Sequence, residues 1–224
     1  MPGADAGTTE NHPLIDVLPR LPALPQQVKI LPSLPATVQS QLHAIDGRNG
    51  KGLALGQSVP NLLETAYQVV QSRLILNAPV PGGEYDFITT YSQAGEAMTN
   101  LQREIKKTFG LTGRPEMIET NVQILTVQSP NTAGFKPSSG KFSNQTGPDF
   151  YSIRGATLYV LVADLEVSLG TAIVNETRLQ GNFDIDLKWD ATPDDLMRVL
   201  RDELGLELTP GRETVPFLVV DKTN

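Results

Sequence analysis

Apolar positions along the chain fall into short runs of two periods. Val28–Leu31 and Leu53–Leu55 read as short strands. Ser58-Val59-Pro60 then opens a helix, with Ser58 as N-cap and Leu62, Leu63, Ala66, Val69 and Val70 on one face. Leu74–Leu76 predicts a strand, and Tyr85–Tyr91 alternates as a second. Met98, Leu101, Ile105 and Phe109 mark another helix, closed by Gly110. Ile118 and Val122–Val127 predict a final strand pair. The order then restarts: a strand at Tyr151–Arg154, a helix on Leu158, Leu161, Leu165 and Leu169 ended by Gly170, and strands at Thr171–Asn175 and Asn182–Trp189. Thr192-Pro193-Asp194-Asp195 starts a last helix: a hydroxyl cap, proline in the first turn, and acids at the positive end of the dipole. Leu196, Val199, Leu200 and Leu204 give it a core face and Gly205 stops it. Leu206–Leu208 and Val215–Val220 read as a hairpin around Pro210-Gly211.

Two stretches break this pattern. Leu18-Pro19, Leu21-Pro22 and Leu24-Pro25 recur every three residues, the period of a polyproline II helix with leucines along one edge. Residues 129–148 are dominated by Ser, Pro, Gly, Asn and Lys and read as a linker or long surface loop. The passes on either side align. Leu101, Ile105, Gly110 and Leu111 recur 95 residues later as Leu196, Leu200, Gly205 and Leu206. Tyr85-Asp86 recurs 98 residues later as Phe183-Asp184. The expected organisation is a Pro-rich arm (1–27), a first unit (28–128), the connection (129–148) and a second unit (149–224), an α+β chain built from two tandem copies of a βαββαββ plan.

Composition narrows the chemistry. The 224 residues contain no cysteine, which excludes disulfides, thiolate metal sites and cysteine nucleophiles. Only His12 and His43 are histidines, both in the Pro-rich first quarter, so a Ser-His-Asp centre has no rigid histidine to use. No apolar run approaches the roughly 20 residues of a membrane span. The net charge is −7 and is uneven: residues 150–224 hold 7 basic and 13 acidic side chains. An acidic second half repels phosphate backbones, which argues against nucleic acid and leaves a basic partner as the electrostatic complement. Gly47, Gly50 and Gly52 lack the Lys-Ser/Thr pair and following helix of a phosphate loop. No motif calls for a cofactor.

The second copy, Ile153–Lys222, resembles the short secretin/TonB N-terminal (STN) module in its order of strand, Gly-ended helix, two strands, Gly-Leu-ended helix and closing strands. Several stretches also resemble a soil-associated bacterial family with a domain of unknown function. They are Leu62-Leu63-Glu64-Thr65-Ala66-Tyr67, Tyr85-Asp86-Phe87, Leu101–Leu111, Gly181–Trp189 and Leu204-Gly205-Leu206-Glu207-Leu208. That family's Val-Asp-Lys-Thr-Gly-Leu turn reads Val174-Asn175-Glu176-Thr177-Arg178-Leu179 here. The resemblance implies an exported protein, periplasmic or secreted and already relieved of its leader, that acts as a docking module in the cell envelope.

The candidate chemistry is sparse. Asp86 and Asp184, the duplicated pair, are the acids a carboxylate-based hydrolase would need brought together in a cleft. Asp184, Asp186 and Asp190 could offer oxygen ligands to a hard cation, or form a solvated face with Lys188 as partner. Tyr67, Tyr85, Tyr91 and Trp189 could stack on a sugar or peptide. A protein partner could add a strand at a sheet edge, for which Val122–Val127 and Val215–Val220 are the candidate edges and the Leu-Pro arm a possible cover.

Overall fold

The computed structural model describes residues 20–21, 23–33, 50–128, 135–138 and 140–223. His12, His43 and the residues before Arg20 lie outside this set. The α+β class holds. The chain forms two compact units, and their boundaries do not follow the connection at 129–148.

Unit 1 takes residues up to Val69, then Leu74–Pro115, then Leu218 onward. Its sheet has the order β1 (Val28–Pro32), β4 (Tyr85–Thr90), β2 (Lys51–Gln57), all antiparallel. Helices α1 (Val59–Tyr67) and α2 (Ala94–Phe109) pack on it, and Ile30, Leu62, Leu63, Phe87, Leu101 and Ile105 fill the core between them. The Ser58 hydroxyl accepts the Asn61 N–H at the start of α1. Gly110 ends α2 at φ 67°. The short strand β3 (Leu74–Leu76) runs parallel to residues 218–220.

Unit 2 takes Val70–Arg73 and Glu116–Phe217. Its sheet has the order β6 (Lys136–Pro137), β10 (Phe183–Lys188), β8 (Phe150–Ala156), β7 (Ser143–Thr146). Helices α3 (Leu158–Leu169) and α4 (Pro193–Leu204) bury Leu161, Leu165, Leu196 and Leu200 against Ile153, Ile185 and Leu187. The Thr192 hydroxyl caps α4 through the Asp195 N–H, and Gly205 ends it at φ 63°. Here β9 (Ile173–Asn175) runs parallel to residues 123–125.

The predicted terminal hairpins are instead two continuous 17-residue strands, β5 (Leu111–Val127) and β11 (Leu206–Lys222). They are antiparallel neighbours, pinned where the Thr223 N–H meets the Gly110 carbonyl (2.7 Å) and the Gln128 N–H meets the Gly205 carbonyl (2.8 Å). Pro210-Gly211 is not a turn. A Cβ on Gly211 would stand 2.5 Å from the Ile124 side chain, so this glycine lets a neighbouring side chain approach the backbone. Each long strand divides between the units, which is why the boundaries fall at 115/116 and 217/218.

Two further expectations are corrected. The connection at 129–148 supplies strands β6 and β7 to the sheet of unit 2. The described end of the arm is not polyproline II: the Leu24 N–H bonds back to the Leu21 carbonyl, and Leu21 is buried. Gln27 then exchanges hydrogen bonds with Thr90 at the end of β4. Among the described residues no helix is long and apolar enough to cross a membrane.

The turn after β9 carries a strained residue. Arg178 sits at φ 58°, in the left-handed region that glycine adopts freely. Arg178→Gly should therefore stabilise unit 2 by about 0.5–1 kcal/mol, after the entropy glycine adds to the unfolded chain. A rise in melting temperature of about 2 °C would register it, and a fall would contradict it.

Candidate functional site

The two aspartates that recur in the sequence are built into one repeated device. In unit 1, Asp86 lies on the central strand β4 and is 2% exposed. Its carboxylate accepts the Gly56 N–H at 2.9 Å and the Ser33 hydroxyl at 2.8 Å. In unit 2, Asp184 on β10 accepts the Gly155 N–H at 2.9 Å and a hydrogen bond from the Ser138 hydroxyl. Those two bonds, with the nearby Arg154 and Lys136, hold its carboxyl below the ordinary range. Both glycines have positive φ, 63° and 58°, which turns the amide toward the acid. Both serines follow a proline on the neighbouring strand: Pro32 pairs with Tyr85, and Pro137 with Phe183. The Ser33 and Ser138 N–H groups bond the carbonyls of Glu84 and Asn182. The sequence signal for this was Ile30-Leu31-Pro32-Ser33 against Phe135-Lys136-Pro137-Ser138, a repeat hidden because its second copy fell in the segment read as a linker.

The face around this device differs between the copies. In unit 1 it carries Leu53, Leu55 and Ile88, with both leucines buried. In unit 2 the matching positions are Ser152, Arg154 and Asp186. Arg154 clamps both Asp186 oxygens at 2.7 and 2.8 Å, and Ser152 adds a bond of 3.0 Å. Arg154 therefore holds the place expected of Lys188, and the ion pair keeps the Asp186 carboxyl low. Asp190 is exposed beyond the strand, where its N–H meets Asp195. No three acidic or histidine side chains come together as a cation site among the described residues, so Asp184, Asp186 and Asp190 stay separate groups.

Three of the aromatic candidates, Tyr67, Tyr85 and Trp189, are engaged in packing. Tyr67 borders the unit 1 core, and its hydroxyl accepts the Gly113 N–H at 2.9 Å. Tyr85 meets Phe109 edge-on at 4.8 Å. Trp189 is 6% exposed and lies 4.6 Å from the Tyr151 ring. The Tyr151 hydroxyl donates to the Asp164 carbonyl, shares a 2.6 Å bond with Ser168, and is pushed up to about 12 by burial.

A second acid buried as deeply as Asp86 was not anticipated. Glu166, on the core side of α3, is 2% exposed. Its two oxygens share the single Arg73 Nε–H in a bifurcated bond at 3.0 Å, and it accepts one bond from Arg73 Nη2, one from the Ser72 hydroxyl at 3.1 Å and one from the Ile173 N–H at 2.7 Å. Arg73 also donates to the Ile173 carbonyl at 2.9 Å. A glutamate beside Val162 and Leu165, in a helix with nine apolar residues of twelve, was the available clue.

The edges of the sheets are not where the sequence suggested. Val122–Val127 and Val215–Val220 belong to interior strands, since the order is β3-β11-β5-β9. In unit 2, β7 lies at the end of its order, paired with β8, and all four of its residues are exposed. Asn144 on β7 donates its amide to Asp164 on α3 at 3.2 Å.

A family model described as a protein of unknown function (DUF3738) matches residues 60–223, from the first helix to the last strand. No curated protein and no solved structure matches the chain. With that match over most of its length, the chain belongs to the DUF3738 family of proteins of unknown function.

Proposed function

We propose that the chain is a non-enzymatic docking module that works outside the cytoplasm, in the periplasm or as a secreted protein, through a protein partner. One observation carries the non-enzymatic part. Asp86 and Asp184, the acids a hydrolase would use, are both spent on the same structural hydrogen bonds. A general acid or base works best with a pKa near the operating pH, and Asp184 is driven the opposite way. The docking part is supported by the exposed edge strand β7, and the location by the likeness of the second copy to STN modules.

The test is affinity capture from envelope extract with the full chain as bait, followed by cross-linking and by binding of the purified partner. A single protein that binds the purified chain saturably supports the reading. A hydrolytic activity on a panel of glycosides, esters and peptides that disappears in a folded Asp184→Asn variant would overturn it.

A further inference from the structure

Nine of the twelve residues of α3 are apolar, more than its core contacts use. Leu158, Leu161, Val162 and Leu165 are buried. Tyr159 is 66% exposed and Val167 59%. With Ala163 between them at four-residue spacing, they form one stripe along the helix. Asp164 stands beside this stripe. Its carboxylate receives one hydrogen bond, from the neutral amide of Asn144, and no cation pairs with it among the described residues. Burial pushes its carboxyl up. A partly desolvated carboxylate without a counter-charge costs free energy that a single neutral donor does not fully offset. In the first copy, Pro60, Thr65 and Gln68 occupy the positions of Tyr159, Asp164 and Val167, so the arrangement is particular to the second.

The edge strand β7 is exposed at every residue and is tied to this helix by the Asn144–Asp164 bond. An edge strand beside a partly apolar helix is the geometry in which an added strand gains backbone hydrogen bonds on one side and side-chain contacts on the other. The charge of the unit selects the partner. Unit 2 holds 9 Lys and Arg against 15 Asp and Glu.

We propose that this face binds an extended, basic segment of a partner protein, which adds as a fifth strand beside β7. A Lys or Arg of that segment reaches Asp164, and apolar residues on the same side of the strand cover Tyr159 and Val167. Alternation along a strand places such residues two apart, which fixes the pattern the segment must have. The inference rests on the docking reading and names the chemistry of its partner.

The probe is a displayed library of short peptides, apolar at alternate positions with one variable position among them, selected on the full chain. Enrichment of Lys or Arg at the variable position is the expected result. Asp164→Asn should weaken the selected peptides about tenfold, and Val167→Lys, which brings its own cation to Asp164, by at least as much. Neither variant should melt below the wild type, because one removes an uncompensated charge and the other alters an exposed site. Asp164→Lys should prefer the Glu version of the same peptide. No enrichment, or selected peptides that bind both variants as tightly as the wild type, would overturn the proposal. If Asp164→Asn still captures the envelope partner at full affinity, this inference fails and the docking reading stands. If no form of the chain captures a partner, both fail.

Discussion

Glu166→Ala is expected to lower the stability of unit 2 by about 3–5 kcal/mol, the range for removing one partner of a buried ion pair. The loss strands the Arg73 guanidinium, whose side chain is 19% exposed, together with the Ile173 N–H and the Ser72 hydroxyl. Trp189, the single tryptophan, lies in the core of this unit and reports its unfolding by fluorescence. The urea midpoint should fall by about 2–3 M. Arg73→Ala should cost as much or more, because it leaves a carboxylate at 2% exposure without a cation. A double Arg73→Met, Glu166→Leu variant should recover most of the loss, since apolar residues of similar volume avoid the desolvation of both charges. A midpoint shift in Glu166→Ala equivalent to less than about 1 kcal/mol would show that the pair behaves as a surface contact.

The second large effect separates the two copies of the aspartate device. Gly155→Ala places a Cβ 2.6 Å from the Gly140 carbonyl oxygen, against backbone that cannot move aside as a side chain would. Left-handed φ and the clash add, and a loss of about 3 kcal/mol is expected. The β7–β8 side of the sheet must shift to make room, and with it the Gly155 N–H that anchors Asp184. At Gly56 the nearest atom is the end of the Glu84 side chain at 3.5 Å, so Gly56→Ala bears the φ term alone, about 1 kcal/mol. Circular dichroism during urea unfolding follows both variants. Equal losses at the two glycines would contradict the steric assignment.

The parts of the fold that could be read from the sequence are those whose chemistry is local. Ser58 and Thr192 cap helices through their own hydroxyls, and Gly110, Gly170 and Gly205 end them because of their own φ. The strand ends are different. Gly113 and Gly211 punctuate the sequence as turns would, yet each lies inside a strand, and what it accommodates is a side chain far away in the chain. For Gly113 these are Leu218 and Tyr67, and for Gly211, Ile124. Nothing within a few residues of either glycine records that. β6 was missed for a related reason: two residues show no alternation, and their pairing is written in β10.

The site divides the same way. Asp86 and Asp184 could be recognised as a pair because the aromatic-Asp motif recurs, while their donors come from 30 and 29 residues away at the glycines. Glu166 was visible as an oddity in an apolar row, but its partner Arg73 lies 93 residues earlier. Asp164 looks like an ordinary helix-surface acid in the sequence. Only the position of β7 makes it a half-buried group with a single neutral donor.

The division of the two long strands has a consequence for how the protein is made. Everything unit 2 contains has been synthesised once Phe217 has, whereas unit 1 still lacks Leu218–Lys222 at that point. Those last residues contribute Leu218 and Val220 to the core built on Leu62, Phe87 and Leu101. The unit that begins first in translation is thus the last to be completed, and its exposed leucines must wait through the synthesis of more than a hundred residues. A stop codon just before Leu218 would spare unit 2 and leave the amino-terminal one open.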